Sequence, residues 1–177
     1  TIEGGPAAAR ENAMISTMDN PQLEFAFAIR LQFTRTSMVP DIPSGGWRSA
    51  VYVDSGEIDG PRMKGRAVPN SGGDYAHFRP DDTAVFDARY MLETDDGVTI
   101  YMQNKGYLWG REPDTMARLR KWAFEGGEPV PHAEYYLRAQ PTFEAPRGKY
   151  EWLTRHVWIG IGERKPDGNY VRYYALT

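Results

Sequence analysis

From Leu23 to Leu31 every second residue is apolar, so Leu23, Phe25, Phe27, Ile29 and Leu31 share one side of the chain. A period of two marks a strand with one face on a core. The same kind of run recurs over 48–58, 62–68, 84–93, 98–104, 134–143, 150–162 and 169–176. Turn chemistry separates the runs: Pro40, Pro43 and Ser44-Gly45-Gly46, then Asp59-Gly60-Pro61, Pro69-Asn70-Ser71-Gly72-Gly73, and Lys165-Pro166-Asp167-Gly168. Asp95-Asp96-Gly97 lies between two alternating runs, a strong local hairpin signal. One segment breaks the rhythm. Thr115 to Glu125 places Met116, Leu119, Trp122 and Ala123 at helical spacing, with Asp114 as candidate cap and Gly126-Gly127 as the stop. Eight or more short strands with a single helix specify an all-β domain, either a sandwich or a closed barrel. The closed antiparallel β-barrel is the favoured reading, because closure leaves no unpaired edge.

The 177 residues suit one domain with a real core, and 13% aromatic content argues against disorder. Residues 1–20 are small, polar and without periodicity; they read as a flexible N-terminal segment, in part a processing or cloning remnant, ahead of a single domain over 21–177. The absence of Cys excludes disulfides, thiol nucleophiles and cysteine metal sites. A net charge of −3 asks for no nucleic-acid partner. No apolar run approaches the roughly 20 residues of a membrane helix. A soluble cytoplasmic protein is the expectation.

Alternation sorts each run into two faces. On 84–93, Phe86, Ala88, Tyr90 and Leu92 oppose Val85, Asp87, Arg89, Met91 and Glu93, which sets Asp87 and Arg89 on one side about 7 Å apart. On 134–140, Tyr136 and Arg138 oppose Tyr135, Leu137 and Ala139. Read as a strand, 150–162 aligns Trp152, Thr154, His156 and Trp158. Faces that mix aromatic rings with Arg, Thr and His resemble a ligand-cavity lining, and Arg suits forked recognition of carboxylate or enolate oxygens. The plainer reading is that these faces meet water and that Asp87–Arg89 is an ordinary surface pair. No His-x-His, His-Glu-x-x-His, Gly-x-Ser-x-Gly or phosphate-cradling loop occurs, so neither a metal nor a nucleotide cofactor is expected. Arg118, Arg120 and Lys121 read as the solvated face of the helix.

Several motifs then fall in a fixed order: Gly60-Pro61-Arg62-Met63-Lys64-Gly65, Gly72-Gly73-Asp74-Tyr75, Asp87-Ala88-Arg89-Tyr90, Thr94-Asp95-Asp96-Gly97, Asn104-Lys105-Gly106, Tyr135-Tyr136-Leu137-Arg138 and Tyr150-Glu151-Trp152-Leu153-Thr154-Arg155. Together they resemble the DUF3237 (UPF0311) family over about residues 23–176. The resemblance implies a closed barrel of calycin or allene-oxide-cyclase-like outline with a central cavity. Its motif positions would line that cavity with Asp87, Arg89, Asn104, Tyr136 and Arg138, and place Trp152 and Arg155 near its end. Thr154 stands where the family more often has Asn, and the helix region is longer than usual.

Two functions fit. The first is a cofactor-independent enzyme of isomerase, cyclase or lyase type acting on a carbonyl-bearing, aromatic or polyketide-like molecule. Asp87 would be the base, Tyr136 the proton donor or relay and Arg138 the oxyanion holder. Arg89, Asn104, Trp152, Arg155 and His156 would bind the substrate. The second is a lipocalin-like carrier in which Arg138 and Arg89 pair the carboxylate of a small apolar acid. Association into at least a dimer is expected for either.

Overall fold

The computed structural model describes residues 20–177, so all but the last residue of the expected N-terminal segment lies outside the described residues. Ten strands close into a barrel: β1 (Leu23–Val39), β2 (Trp47–Asp59), β3 (Gly65–Ala67), β4 (Gly73–Asp74), β5 (His77–Phe78), β6 (Ala84–Thr94), β7 (Thr99–Gly110), β8 (Tyr135–Glu144), β9 (Trp158–Lys165) and β10 (Gly168–Leu176). The short strands β3, β4 and β5 lie end to end between β2 and β6, so the ten strands make eight antiparallel staves, sealed where β1 meets both β2 and β10. Helix α1 (Thr115–Glu125) crosses from the end of β7 to the start of β8. Among the described residues no helix is long and apolar enough to cross a membrane.

The Asp95-Asp96-Gly97 turn joins β6 to β7, with Gly97 at φ 80°, a backbone conformation that favours glycine. Gly97 N donates to Thr94 O at 2.8 Å. The Asp96 carboxylate accepts from Tyr150 Oη at 2.7 Å and Lys149 Nζ at 2.8 Å, which ties this turn to the segment preceding β9. Helix α1 ends at Gly126 (φ 69°), where Gly127 N reaches Lys121 O at 3.1 Å. Asp114 does not cap the helix with its side chain; its carboxylate pairs with Arg118 one turn on, at 3.0 Å.

Three expectations are corrected. The segment 150–156 is not strand: Glu151–Arg155 is a 3-10 turn, and β9 begins only at Trp158. Side chains that bond to nearby backbone hold the turn, with Thr154 Oγ1 donating to Glu151 O at 2.8 Å and Trp158 Nε1 to Leu153 O at 2.9 Å. The run 62–68 pairs only over Gly65–Ala67. In β1 the register shifts between Phe25 and Phe27. That bulge leaves Leu23 and Phe25 exposed while Phe27, Ile29 and Leu31 enter the core.

The half of the lumen away from α1 is filled. Phe27 lies 5.4 Å from Tyr173, 5.9 Å from Trp158 and 6.0 Å from Phe143, ring centre to ring centre. Leu92, Ile100 and Met102 complete this plug and are fully buried. Each such side chain contributes roughly 1.5–3 kcal/mol.

Candidate functional site

The other half of the lumen is open. A cavity of about 510 Å³ runs from Tyr90 and Val53 toward the α1 end, walled by apolar side chains such as Phe33, Val51, Phe86 and Leu108. Met116, Leu119, Arg120 and Phe124 of α1 border its mouth. On β6 it is the Phe86, Ala88 and Tyr90 side that faces the cavity, the side that reads from sequence as plain core.

Strand register delivers a polar row into this apolar space. Asp74 on β4 pairs with Val51 on one side and Ala88 on the other, and Ala88 in turn pairs with Asn104. Directly opposed residues point to the same face of a sheet, so Asp74, Ala88 and Asn104 all look inward. The small Ala88 between them leaves room. Arg164 on β9 stands four staves away from Asp74 in either direction round the barrel, on the facing wall. Both side chains are only partly covered because they border the cavity.

Burial pushes the Asp74 carboxyl up to about 6, against the lowering effects of backbone N–H groups and of Arg164. Asp87 N donates to Asp74 Oδ1 at 3.1 Å. Burial lowers the pKa of Arg164, with Asp74 opposing the change; a guanidinium remains a cation under such a pull. Arg164 Nη1 donates to Asn169 Oδ1 at 2.9 Å, its backbone N to Tyr135 Oη at 2.8 Å, and its guanidinium lies 5.7 Å from the Phe124 ring. Arg164 and Asp74 form no contact ion pair: among the described residues no carboxylate oxygen lies within 4.0 Å of the Arg164 guanidinium. An acid and a cation therefore face each other across an apolar chamber with space between them.

The residues singled out from sequence are dispersed. Asn104 borders the cavity, buried, with Nδ2 donating to Tyr173 Oη at 3.0 Å. Arg138 borders it through β8, its Nη1 turned onto Leu137 O at 2.9 Å and its guanidinium 5.0 Å from the Tyr136 ring. Tyr136 stacks on Trp109 at 5.2 Å and is not part of the lining. Asp87 and Arg89 alternate away from the cavity. Asp87 accepts from Arg89 Nη2 at 3.0 Å and Gln103 Nε2 at 2.8 Å, and Arg89 holds its carboxyl below the usual range. Trp152, Arg155 and His156 lie in and just after the 3-10 turn, at the end of the barrel opposite α1. Trp152 packs on the core beneath the Arg62 guanidinium at 3.8 Å, Arg155 pairs with Glu151, and His156 Nδ1 lies 2.7 Å from Trp152 O.

Asp74 and Arg164 escape sequence reading for a physical reason. A strand of two residues, Gly73–Asp74, shows no period. Glu163-Arg164-Lys165 resembles a solvated charge run beside a turn. The signal available was Gly72-Gly73: a Cβ on Gly72 would meet Arg89 O at 1.8 Å, so the chain must press close against β6 just where Asp74 turns inward.

The geometry can be set beside known proteins. A UPF0311 protein of Rhodopseudomonas palustris strain TIE-1 is 33% identical over 140 residues, 76% of this chain and 87% of that relative. A crystal structure described as a beta-barrel like protein from Acinetobacter baumannii matches with a TM-score of 0.76 at 29% identity, over 91% of this chain and 99% of that one. A crystal structure described as an enzyme from Penicillium herquei has a TM-score of 0.65 at 19% identity, over 90% of this chain and 97% of that one, and shares the fold. The family model described as a protein of unknown function (DUF3237) matches residues 21–176. With its closed barrel and that match over nearly every described residue, the chain belongs to the DUF3237 family.

Proposed function

We propose that the chain is a cofactor-independent enzyme performing acid–base chemistry, of isomerase, cyclase or lyase type, on a small carbonyl-bearing apolar molecule held in the lumen. The observation that carries this reading is Asp74 facing Arg164 without pairing, across a largely apolar chamber. A carboxyl with a pKa near 6 is ionised at neutral pH yet basic enough to take a proton from carbon next to a carbonyl. The electron pair left behind moves onto the carbonyl oxygen, and the Arg164 guanidinium stabilises that enolate. Returned to a different atom, the same proton completes an isomerisation or a ring closure.

The base role read from sequence for Asp87 passes to Asp74, since the Asp87 carboxylate is engaged by Arg89 and Gln103 away from the cavity. The oxyanion role read for Arg138 passes to Arg164, which stands on the wall opposite Asp74, whereas Arg138 turns its guanidinium onto Leu137 O. An enzyme on this barrel in Penicillium herquei supports the direction of the reading, although a shared fold carries no reaction with it. The carrier reading draws on Arg164, which would pair the carboxylate of an apolar acid. Asp74 on the facing wall disfavours such an anionic guest.

The test needs no prior substrate. Small ketones and hydroxyketones are incubated with the protein in D₂O, and deuterium entry next to the carbonyl is followed by NMR. Exchange above the buffer rate is expected, with Asp74→Asn lowering it by about a hundredfold or more. Compounds that bind without exchanging would overturn the enzyme in favour of the carrier.

A further inference from the structure

Two polar atoms at the inner end of the cavity lack partners among the described residues. Tyr90 Oη and Asn104 Oδ1 are both buried from solvent, both belong to cavity-lining residues, and neither forms a hydrogen bond with any described residue. Their residues are 1% and 6% exposed, and a buried polar group left unpaired costs roughly 1–3 kcal/mol. The register sets them side by side: Ala88 pairs with Asn104 and Tyr90 with Met102, so Tyr90 is the diagonal neighbour of Asn104 on the same inward face. The Asn104 amide is anchored behind, where Nδ2 donates to Tyr173 Oη at 3.0 Å. Burial raises the pKa of the Tyr90 phenol, and the Tyr173 phenol beside it is close enough to oppose that rise as a donor, yet outside the geometry of a formed hydrogen bond, so the Tyr90 proton has no acceptor among the described residues.

The chemistry of the two atoms is complementary. Asn104 Oδ1 only accepts, and the Tyr90 hydroxyl has a proton to give. A carbonyl would take the tyrosine proton and leave the amide oxygen bare. An ammonium would serve the amide and leave the tyrosine proton unplaced. A hydroxyl donates to one and accepts from the other with a single oxygen. We infer that Tyr90 and Asn104 form a hydroxyl-reading subsite at the inner end of the cavity, so that the substrate is a hydroxy-carbonyl compound whose O–H enters first. This rests on the lumen being the reaction chamber, and it adds which end of the molecule goes in and what that end must carry.

The test compares 4-propylphenol with 4-propylanisole, two apolar probes that differ in whether the oxygen can donate. Calorimetric titration of wild type is expected to give the phenol at least about tenfold tighter binding, since a site built to pair a hydroxyl rejects the analogue that leaves its polar atom bare. Asn104→Leu should bring the two within about twofold. Tyr90→Phe removes only the unpartnered oxygen, so packing is kept; it should weaken the phenol by about threefold or more. Equal affinity of the two probes for wild type overturns the subsite while leaving the chamber intact, and one ordered water filling the gap gives that result. A phenol preference that survives in Asn104→Leu also overturns it. Failure of both probes to bind overturns the chamber and the subsite together. Absence of deuterium exchange despite phenol-selective binding removes the enzyme and leaves the subsite standing.

Discussion

Replacing Asp74 with Asn should make the folded protein more stable than wild type at neutral pH, by a margin that vanishes in acid. Burial raises the carboxyl from 3.8 to about 6. Between those two values the folded state keeps a proton that the unfolded chain has already released. Stability therefore falls as pH rises through this window, and the loss is complete above about 6. The separation corresponds to about 3 kcal/mol. Asparagine carries no such penalty, and its Oδ1 can still accept from Asp87 N. Urea unfolding of both proteins at pH 4 and pH 7.5 isolates the effect. Carboxylates whose pKa is lowered, such as Asp87 and Asp167, act with the opposite sign, because their stabilisation is lost as pH falls. Asp167 contributes equally to wild type and variant and cancels in the difference, while Asp87, whose charge acts on Asp74, cancels only in part. The advantage of Asp74→Asn should grow by about 2–3 kcal/mol between the two pH values, or about 6–10 °C in Tm. A difference that stays constant with pH to within about 0.5 kcal/mol would refute the reasoning, since Asp74 would then be hydrated enough to ionise freely.

Two further outcomes follow from the geometry. At Gly106 a Cβ would meet Arg138 O at 2.0 Å and Phe86 Cζ at 2.5 Å, where β7 presses against β8; Gly106→Ala should destabilise by about 2–3 kcal/mol or more, and a Tm within about 2 °C of wild type would show that the staves give way easily. The side chains of the outward pair Arg89 and Asp87 are 53% and 33% exposed, so the double substitution Asp87→Asn with Arg89→Ala should cost under about 1 kcal/mol. Deuterium exchange in that double variant should stay within about threefold of wild type. A loss as large as that expected for Asp74→Asn would move the chemistry from the lumen to the outer face.

Alternation between turns was enough to place β6, the turn at Asp95-Asp96-Gly97, β8, β10 and helix α1, because each depends on neighbours only a few residues away. Alternation misleads where a local device interrupts it. The β1 bulge at Phe25/Phe27 moves two apolar residues to the outside, and the 3-10 turn at Glu151–Arg155 removes the face that seemed to align Trp152 with His156. Of the candidate site, Asn104 was legible only through the Asn104-Lys105-Gly106 motif of the family resemblance; the structure sets it on the inward face beside Met102 and Ile100. Asp74 and Arg164 were not, since they lie 90 positions apart in the chain and meet only across the closed barrel.

The sequence by itself determined an antiparallel all-β domain with one helix and favoured a barrel over a sandwich, since period, turn residues and caps act over short stretches of chain. It also left each strand with two usable faces. Only closure of the barrel decided which face meets the lumen: an antiparallel strand reads the same with either side inward until its neighbours bury one of them. On β6 that choice put Phe86, Ala88 and Tyr90 inside and Asp87 and Arg89 outside. Closure also set Asp74 opposite Arg164, and so assembled the proposed site from two residues whose local sequence shows only a turn and a charge run.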